Sequence, residues 1–373
     1  MSYLRHKSHQ AEGGAALVVA MLVFALVAAL MVGLQRDFTL TLQRGTHQLF
    51  SEQAWAYLMG AEGLAALALQ ADSRADARAE VAADHLGEVW AQPPTPYPLD
   101  AGGWMSGRIE DLQGRLNLNL LAETQSVGQA TPNANDTVDA EDVEEDLGTG
   151  NQPQQTATAL SDDSTNRWNT AQKMFIRLLQ ALGEASLPME EAMALTDAVT
   201  DFIDRDAERR LNGAEEGEYR YADYPYLPAN RALASVSELR AVRGMTEPVY
   251  RALAPLVTVW PETSSRLNIL TCPLPVLRSV NGDDQLFPLA EMEAQRLDEL
   301  RREGEIGTVA DLLADPAFEG QSMGQLEPLL DIRSDWFLLD ATVELVERER
   351  HLFSVLHRLP DATVAVFRSE GEL

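Results

Sequence analysis

Cysteine is nearly absent. Cys272 stands alone in 373 residues, which excludes an intramolecular disulfide and a thiolate metal cluster. A lone thiol of this kind reads as a small buried apolar residue. Basic residues are also scarce: 29 Lys and Arg face 58 Asp and Glu, for a formal net charge of −29. A surface of that sign repels phosphate, so nucleic acid is a poor partner without a local basic patch. The two basic pairs, Arg209-Arg210 and Arg301-Arg302, are both flanked by acids. The same excess of carboxylates favours a divalent cation. Motifs of catalysis are missing as well. The six histidines are scattered, and there is no HExxH, GxSxG, phosphate-loop or dinucleotide fingerprint. Nothing here resembles a catalytic site, and the expectation is a protein that is not an enzyme. Proline is absent from residues 1–92, so nothing there forces a helix to stop.

What is present begins with Ala15 to Leu34, AALVVAMLVFALVAALMVGL, a run without a charge. As a helix it matches the hydrocarbon thickness of a bilayer. The leader MSYLRHKSHQAEGG carries Arg5 and Lys7, and the positive-inside bias puts that end in the cytoplasm. The rest of the chain then lies across the membrane, in a periplasm-like space. The apolar run is too long for an ordinary secretory signal, and no small-x-small cleavage site follows it. Gly13-Gly14 precedes the run, so a cut there would remove the leader and keep the membrane helix. A plain uncleaved anchor is the other reading. From Gln35 to Gln70, Phe50, Ala54, Tyr57, Leu58, Ala61, Leu64, Ala65 and Ala68 recur at steps of three and four, one apolar face of a helix. A continuous helix from Ala15 to Gln70 is about 80 Å long. Gly33, Gly45, Gly60 and Gly63 lower its propensity and predict kinks or frays. Its outer half needs a cover for the apolar face.

Pro93, Pro94, Pro96 and Pro98 end the helical region. Gly103 to Leu121 predicts two short strands with Gln113-Gly114 at the turn. Residues 123–165 read as an acidic, disordered linker: between Leu116 and Asn166 there are ten acids and no Lys or Arg. Residues 166–328 read as an all-helical domain, clearest at Trp168–Leu182, Met189–Phe202, Val236–Arg243, Glu247–Ala254 and Glu291–Arg302. After Asp331 the period switches: Phe337, Leu339, Ala341, Val343 and Leu345 alternate with Leu338, Asp340, Thr342 and Glu344. Three late strands, ending with Thr363–Phe367, join the early pair in one antiparallel sheet. The helical block is then inserted within that sheet's sequence, and the N-terminal helix covers the sheet's apolar face. The predicted division is 1–14 leader, 15–34 membrane segment, 35–122 first part of the sheet domain, 123–165 linker, 166–328 helical insertion and 329–373 closing strands.

The richest polar cluster is TDFIDRDAERRLNGAEEGEYRYADYPY, Thr200 to Tyr226. Asp204, Asp206 and Glu208 alternate and Glu215 follows, but Arg209 stands where an EF-hand needs glycine. Hard oxygen donors still converge around the Asn212-Gly213 turn, and carboxylates so close repel unless a cation neutralises them. A solvated acidic loop, paired with Arg205, Arg209 and Arg210, is the equal alternative. Ser235 to Pro261 and Arg266 to Val280 have helix-hairpin-helix outlines. They serve either as packing motifs or as phosphate contacts.

The order of these features resembles the type II secretion minor pseudopilin K family (general secretion pathway protein K). The carrying segments are GGAALVVAMLVFALVAAL, SEQAWAYLMGAEGLAALAL, EDLQGRLNLNLL, TDFIDRDAERRLNGAEEGEY, SVSELRAVRGMTEPVYRALAPLVTV, RLNILTCPLPVLRSV and SDWFLLDATVEL. The resemblance implies an α+β, pilin-like fold: a long N-terminal helix on an antiparallel sheet, with a large all-α domain inserted in the sheet sequence. It implies cleavage by a prepilin peptidase between Gly14 and Ala15, and N-methylation of Ala15. Most pilin-like subunits carry a glutamate where this chain has Val19, and K subunits typically lack it. A subunit without that acid has no preceding terminus to neutralise, which suits the tip of a filament. The resemblance further implies calcium, carried over to Asp204, Asp206, Glu215 and Glu216, and no catalytic residues. It implies minor pseudopilins I and J and the major pseudopilin as partners. The protein is then single-pass in the bacterial inner membrane, with its C-terminal domain periplasmic. The rivals are a membrane-anchored DNA-binding protein using the hairpins, and a plain bitopic protein with an unknown binding domain.

Overall fold

The computed structural model describes residues 13–79, 81–100, 102–122, 167–221, 225–345 and 347–371. The leader up to residue 12 and the acidic linker lie outside the described residues. Helix α1, Gly13–Asp76, is one helix of 64 residues, ~95 Å long at 1.5 Å per residue. It runs through Gly33, Gly45, Gly60 and Gly63 without a break. A Cβ at each of these positions would meet nothing within 4 Å, so these glycines serve no close approach within the chain. Continuous hydrogen bonding outweighs about 1 kcal/mol of propensity at each.

The two halves of α1 have opposite surroundings. From Ala15 to Leu49 every residue is exposed. From Ala54 onward most of the three-four face turns inward, and Ala54, Leu58, Ala61 and Ala65 are buried together with Leu69, whereas Leu64, expected on the same face, is exposed. Their cover is a five-stranded antiparallel sheet. Its strands are β1 (Tyr97–Pro98), β2 (Trp104–Asp111), β7 (Trp336–Leu345), β8 (Arg348–Arg358) and β9 (Thr363–Ser369), in the order β1-β2-β7-β8-β9. The alternation in β7 does what period two demands. Phe337, Leu339, Ala341, Val343 and Leu345 pack with α1, while Leu338 joins Leu112 and Val355 on the other face. Ile109 of β2 stands opposite Leu339, and Ala341 opposite Leu352 of β8. Gly103 opens β2 at φ +102°, where a Cβ would lie 2.0 Å from the Glu344 carbonyl oxygen. Only glycine permits that approach.

The chain between β2 and β7 forms the second layer. Its elements are β3 (Leu116–Asn117), α2 (Thr170–Gln180), α3 (Met189–Ile203), α4 (Glu216–Arg220), α5 (Glu247–Leu253), β4 (Val257–Thr258), β5 (Leu267–Asn268), α6 (Leu274–Leu277), α7 (Glu291–Glu303), α8 (Val309–Leu313) and β6 (Leu330–Asp331). Two sequence expectations need correction. Leu116–Asn117 is a strand, but it pairs in parallel with β4 and not with the large sheet; β5 and β6 form a second parallel pair. The helical block is therefore not purely α. The segment expected as a helix at Val236–Arg243 is a 3-10 turn over Val236–Ala241. Long irregular stretches, such as Asp204–Glu215, also interrupt the block.

Where helices do form, their ends are specified. Asn169 caps α2 in a reciprocal capping box with Gln172, and Gly304 ends α7 in the left-handed conformation at φ 81°. The hairpin expected at Ser235 to Pro261 is packed: Leu239, Val242, Val249, Tyr250 and Leu253 belong to the helical core. Arg177 of α2 is fully buried and donates to the carbonyls of Ser279, Gly282 and Gln285. Burial lowers its pKa to about 10, and those carbonyls replace its water shell.

Candidate functional site

The loop after α3 brings three of the four expected ligands together. Asp204 closes the helix, Asp206 follows, and Glu215 returns at the start of α4. One carboxylate oxygen from each lies within 4.8 Å of the others. Ala214, fully buried in the helical core, anchors the return. Gly213 is required there, because a Cβ would meet Asp201 Oδ2 at 1.8 Å. Asp204 and Glu215 are 8% and 7% exposed. Asp204 Oδ1 and both oxygens of Glu215 are buried without a hydrogen-bond partner. Burial, then the neighbouring Asp206 and Asp201, pushes Asp204 up to about 6. Glu215 is raised by burial and by Asp204.

The arginines do not dissolve this cluster. Arg209 is occupied with the Gly213 carbonyl at 3.0 Å and with Glu218 at 3.1 Å. Arg205 makes no ion pair among the described residues. Arg210 Nε stands 3.5 Å from Asp201 and 3.9 Å from Asp204, too loosely for a hydrogen bond. Orphaned buried oxygens in an all-carboxylate set fit a hard cation such as calcium. Glu216, the fourth expected ligand, is not in the group. It is exposed, and its carboxylate accepts from Arg220 one turn on. Asp201 was not singled out by the sequence pattern. It is fully buried beneath the loop and accepts from the Arg210 backbone N–H at 3.1 Å. Its position one turn before Asp204 on the helix face was the available signal.

A second carboxylate group was not foreseen at all. Asp72 of α1, Asp84 and Glu88 also place oxygens within 4.8 Å of one another. This group carries its own cation. Arg358 of β8, 4% exposed, donates to Asp72 at 3.0 Å and to both oxygens of Asp84 at 2.6 Å. Trp90 Nε1 donates to Glu88 at 2.5 Å. Asn268 extends the network, reaching the Asp84 carbonyl, Asp111 and Ser334. Helix, sheet and helical block thus meet around one guanidinium. Burial raises Asp72 to about 6 and Glu88 to about 7.

At the other end of α1, Gly14 and Ala15 lie in the first turns of the helix, directly before the exposed apolar run. One helix in the described residues is long and apolar enough to cross a membrane, with a mean hydropathy of 3.0 in its most apolar window.

A long helix, bare along one half and seated along the other on an antiparallel sheet, defines a pilin-like subunit. The family model for type II secretion system protein K matches residues 114–262. Type II secretion system protein K of Pseudomonas aeruginosa is 30% identical over 357 residues, 95% of this chain and 91% of the relative. The corresponding protein of Pectobacterium carotovorum is 27% identical, covering 96% and 97%. A solved chain in the GspK-GspI-GspJ complex of the enterotoxigenic Escherichia coli type 2 secretion system superposes with a TM-score of 0.62. It shares 24% identity, with 88% of this chain and all of that one covered. The chain belongs to the type II secretion system protein K family. It is therefore a minor pseudopilin, a structural component of a protein secretion system. The DNA-binding alternative finds no support: the first hairpin's apolar side is consumed in the core.

Proposed function

We propose that this minor pseudopilin sits at the tip of a periplasmic pseudopilus and assists export of folded proteins across the outer membrane. The observation that carries the reading is the division of α1. Ala15 to Leu49 is exposed throughout, whereas Ala54 to Leu69 is packed on the sheet. Its apolar part, Ala15 to Leu34, finds cover in lipid and against other apolar helices. The anchor crosses the inner membrane once, with the N-terminus cytoplasmic and the folded part periplasmic. Prepilin peptidase cuts between Gly14 and Ala15 and Ala15 is methylated. The partners are minor pseudopilins I and J, with the major pseudopilin below. Val19 supports the tip position, because the segment offers no acid to a terminus above it. The helical block adds bulk that a close-packed filament interior would not admit.

Asp204, Asp206 and Glu215 hold calcium in this reading, and Glu216 is left outside the set because Arg220 engages it. When bound, the ion supplies the positive charge that the loop's own arginines do not deliver. Mass spectrometry of the membrane-extracted chain, produced alongside its secretion system, tests the processing. A mature chain beginning at methylated Ala15 agrees with the proposal, and an intact Met1 contradicts it.

A further inference from the structure

Four arginines gather in one cavity of a chain whose acids outnumber its bases two to one. The cavity, of about 800 Å³, lies at the end of α1 where the sheet meets the helical block. Arg74, Arg266, Arg333 and Arg358 line it, with His357 on the same wall. Two of the four are already committed. Arg358 serves Asp72 and Asp84, and Arg266 stands 3.3 Å from Asp331. Arg74 and Arg333 are exposed and make no hydrogen bond or ion pair through their guanidinium groups among the described residues. Two uncommitted guanidinium groups in one concavity present forked donors that match a planar carboxylate. The His357 ring lies flat against Trp336, with centroids 4.2 Å apart.

We propose that this cavity is a docking site for a carboxylate side chain presented by an acidic segment of a partner protein. Charge complementarity argues for an anion. Asp331 and Asp335 share the lining, which favours a singly charged group over a phosphate dianion. Headgroups of the anchoring bilayer are out of reach: α1 rises ~60 Å between Leu34 and Arg74 at 1.5 Å per residue. The site shares no residue with the Asp204 cluster, and its test reads separately from calcium binding.

The test uses the full chain in detergent at physiological salt. The probe is a short rhodamine-labelled peptide with two adjacent glutamates, and its glutamine counterpart is the control. Fluorescence anisotropy is expected to show saturable binding of the glutamate peptide alone. Arg74→Gln with Arg333→Gln should weaken it at least tenfold with an unchanged melting temperature. Arg251→Gln, at an exposed arginine outside the cavity, should leave it unaltered. Equal affinity of wild type and double variant would overturn the proposal. So would equal binding of the glutamine peptide. Displacement by inorganic phosphate, or by phosphatidylglycerol vesicles, at concentrations below that of competing unlabelled peptide would also overturn it.

Discussion

Two groups of three carboxylates sit in this molecule with the same spacing and opposite surroundings. Around Asp72, Asp84 and Glu88 the chain supplies its own cation. Arg358 reaches two of the three acids, and Trp90 donates to the third. Around Asp204, Asp206 and Glu215 the Arg210 guanidinium stays 3.9 Å from Asp204 without hydrogen-bonding, and three buried oxygens remain without a hydrogen-bond partner. The difference is one of assembly. An internal arginine locks three elements of one chain once and for all, whereas a carboxylate set left short of charge makes its order depend on an ion from solution. The first group is a joint of the fold, and the second is the place where we propose that an ion binds.

The largest effect is expected from removing the internal cation. Arg358→Met leaves Asp84, fully buried, without its counter-charge and should cost about 3–5 kcal/mol in denaturant unfolding. A loss below about 1 kcal/mol would erase the contrast between the groups. Next comes pH. Asp111, buried beside the arginine group, is raised from 3.8 to about 6, chiefly by burial. The folded state then binds the proton more tightly than the unfolded state, so its contribution is complete below about pH 4 and is lost as pH rises through about 6. The span is on the order of 3 kcal/mol. Melting in chelator should fall over that interval, and Asp111→Asn should flatten the slope. A slope that rises instead contradicts the assignment.

The proposed calcium site is tested on the other group. Free ion at a hundred times its Kd should stabilise the folded chain by about 2.7 kcal/mol, and Asp204→Asn should abolish the gain. Asp72→Asn should leave it in place. The smallest effect belongs to Glu216→Gln. Its partner Arg220 is exposed, and the change should stay within about 0.5 kcal/mol with calcium affinity unaltered. A tenfold loss of affinity would return Glu216 to the ligand set.

Features with a local period were legible in the sequence. The apolar run and the three-four face of α1 follow from spacing alone, and so does the alternation in β7. Asp204, Asp206 and Glu215 were visible because a short loop holds them together. The Arg358 joint was not visible. Its partners Asp72 and Asp84 lie 286 and 274 residues away, and no spacing encodes such a contact. The pairing of β3 with β4 was hidden for the same reason: a strand of two residues carries no alternation to read. Glu216 stands apart from the other three because neighbours in sequence project differently once a helix begins. Glu215 caps α4 while Glu216 enters its first turn, where Arg220 is within reach.

The most direct test of the contrast is a calcium titration, by calorimetry, of the chelator-stripped full chain and its two substituted forms. The account predicts saturable uptake by wild type and by Asp72→Asn, and none by Asp204→Asn. Uptake that survives in Asp204→Asn, or is absent from wild type, would contradict it.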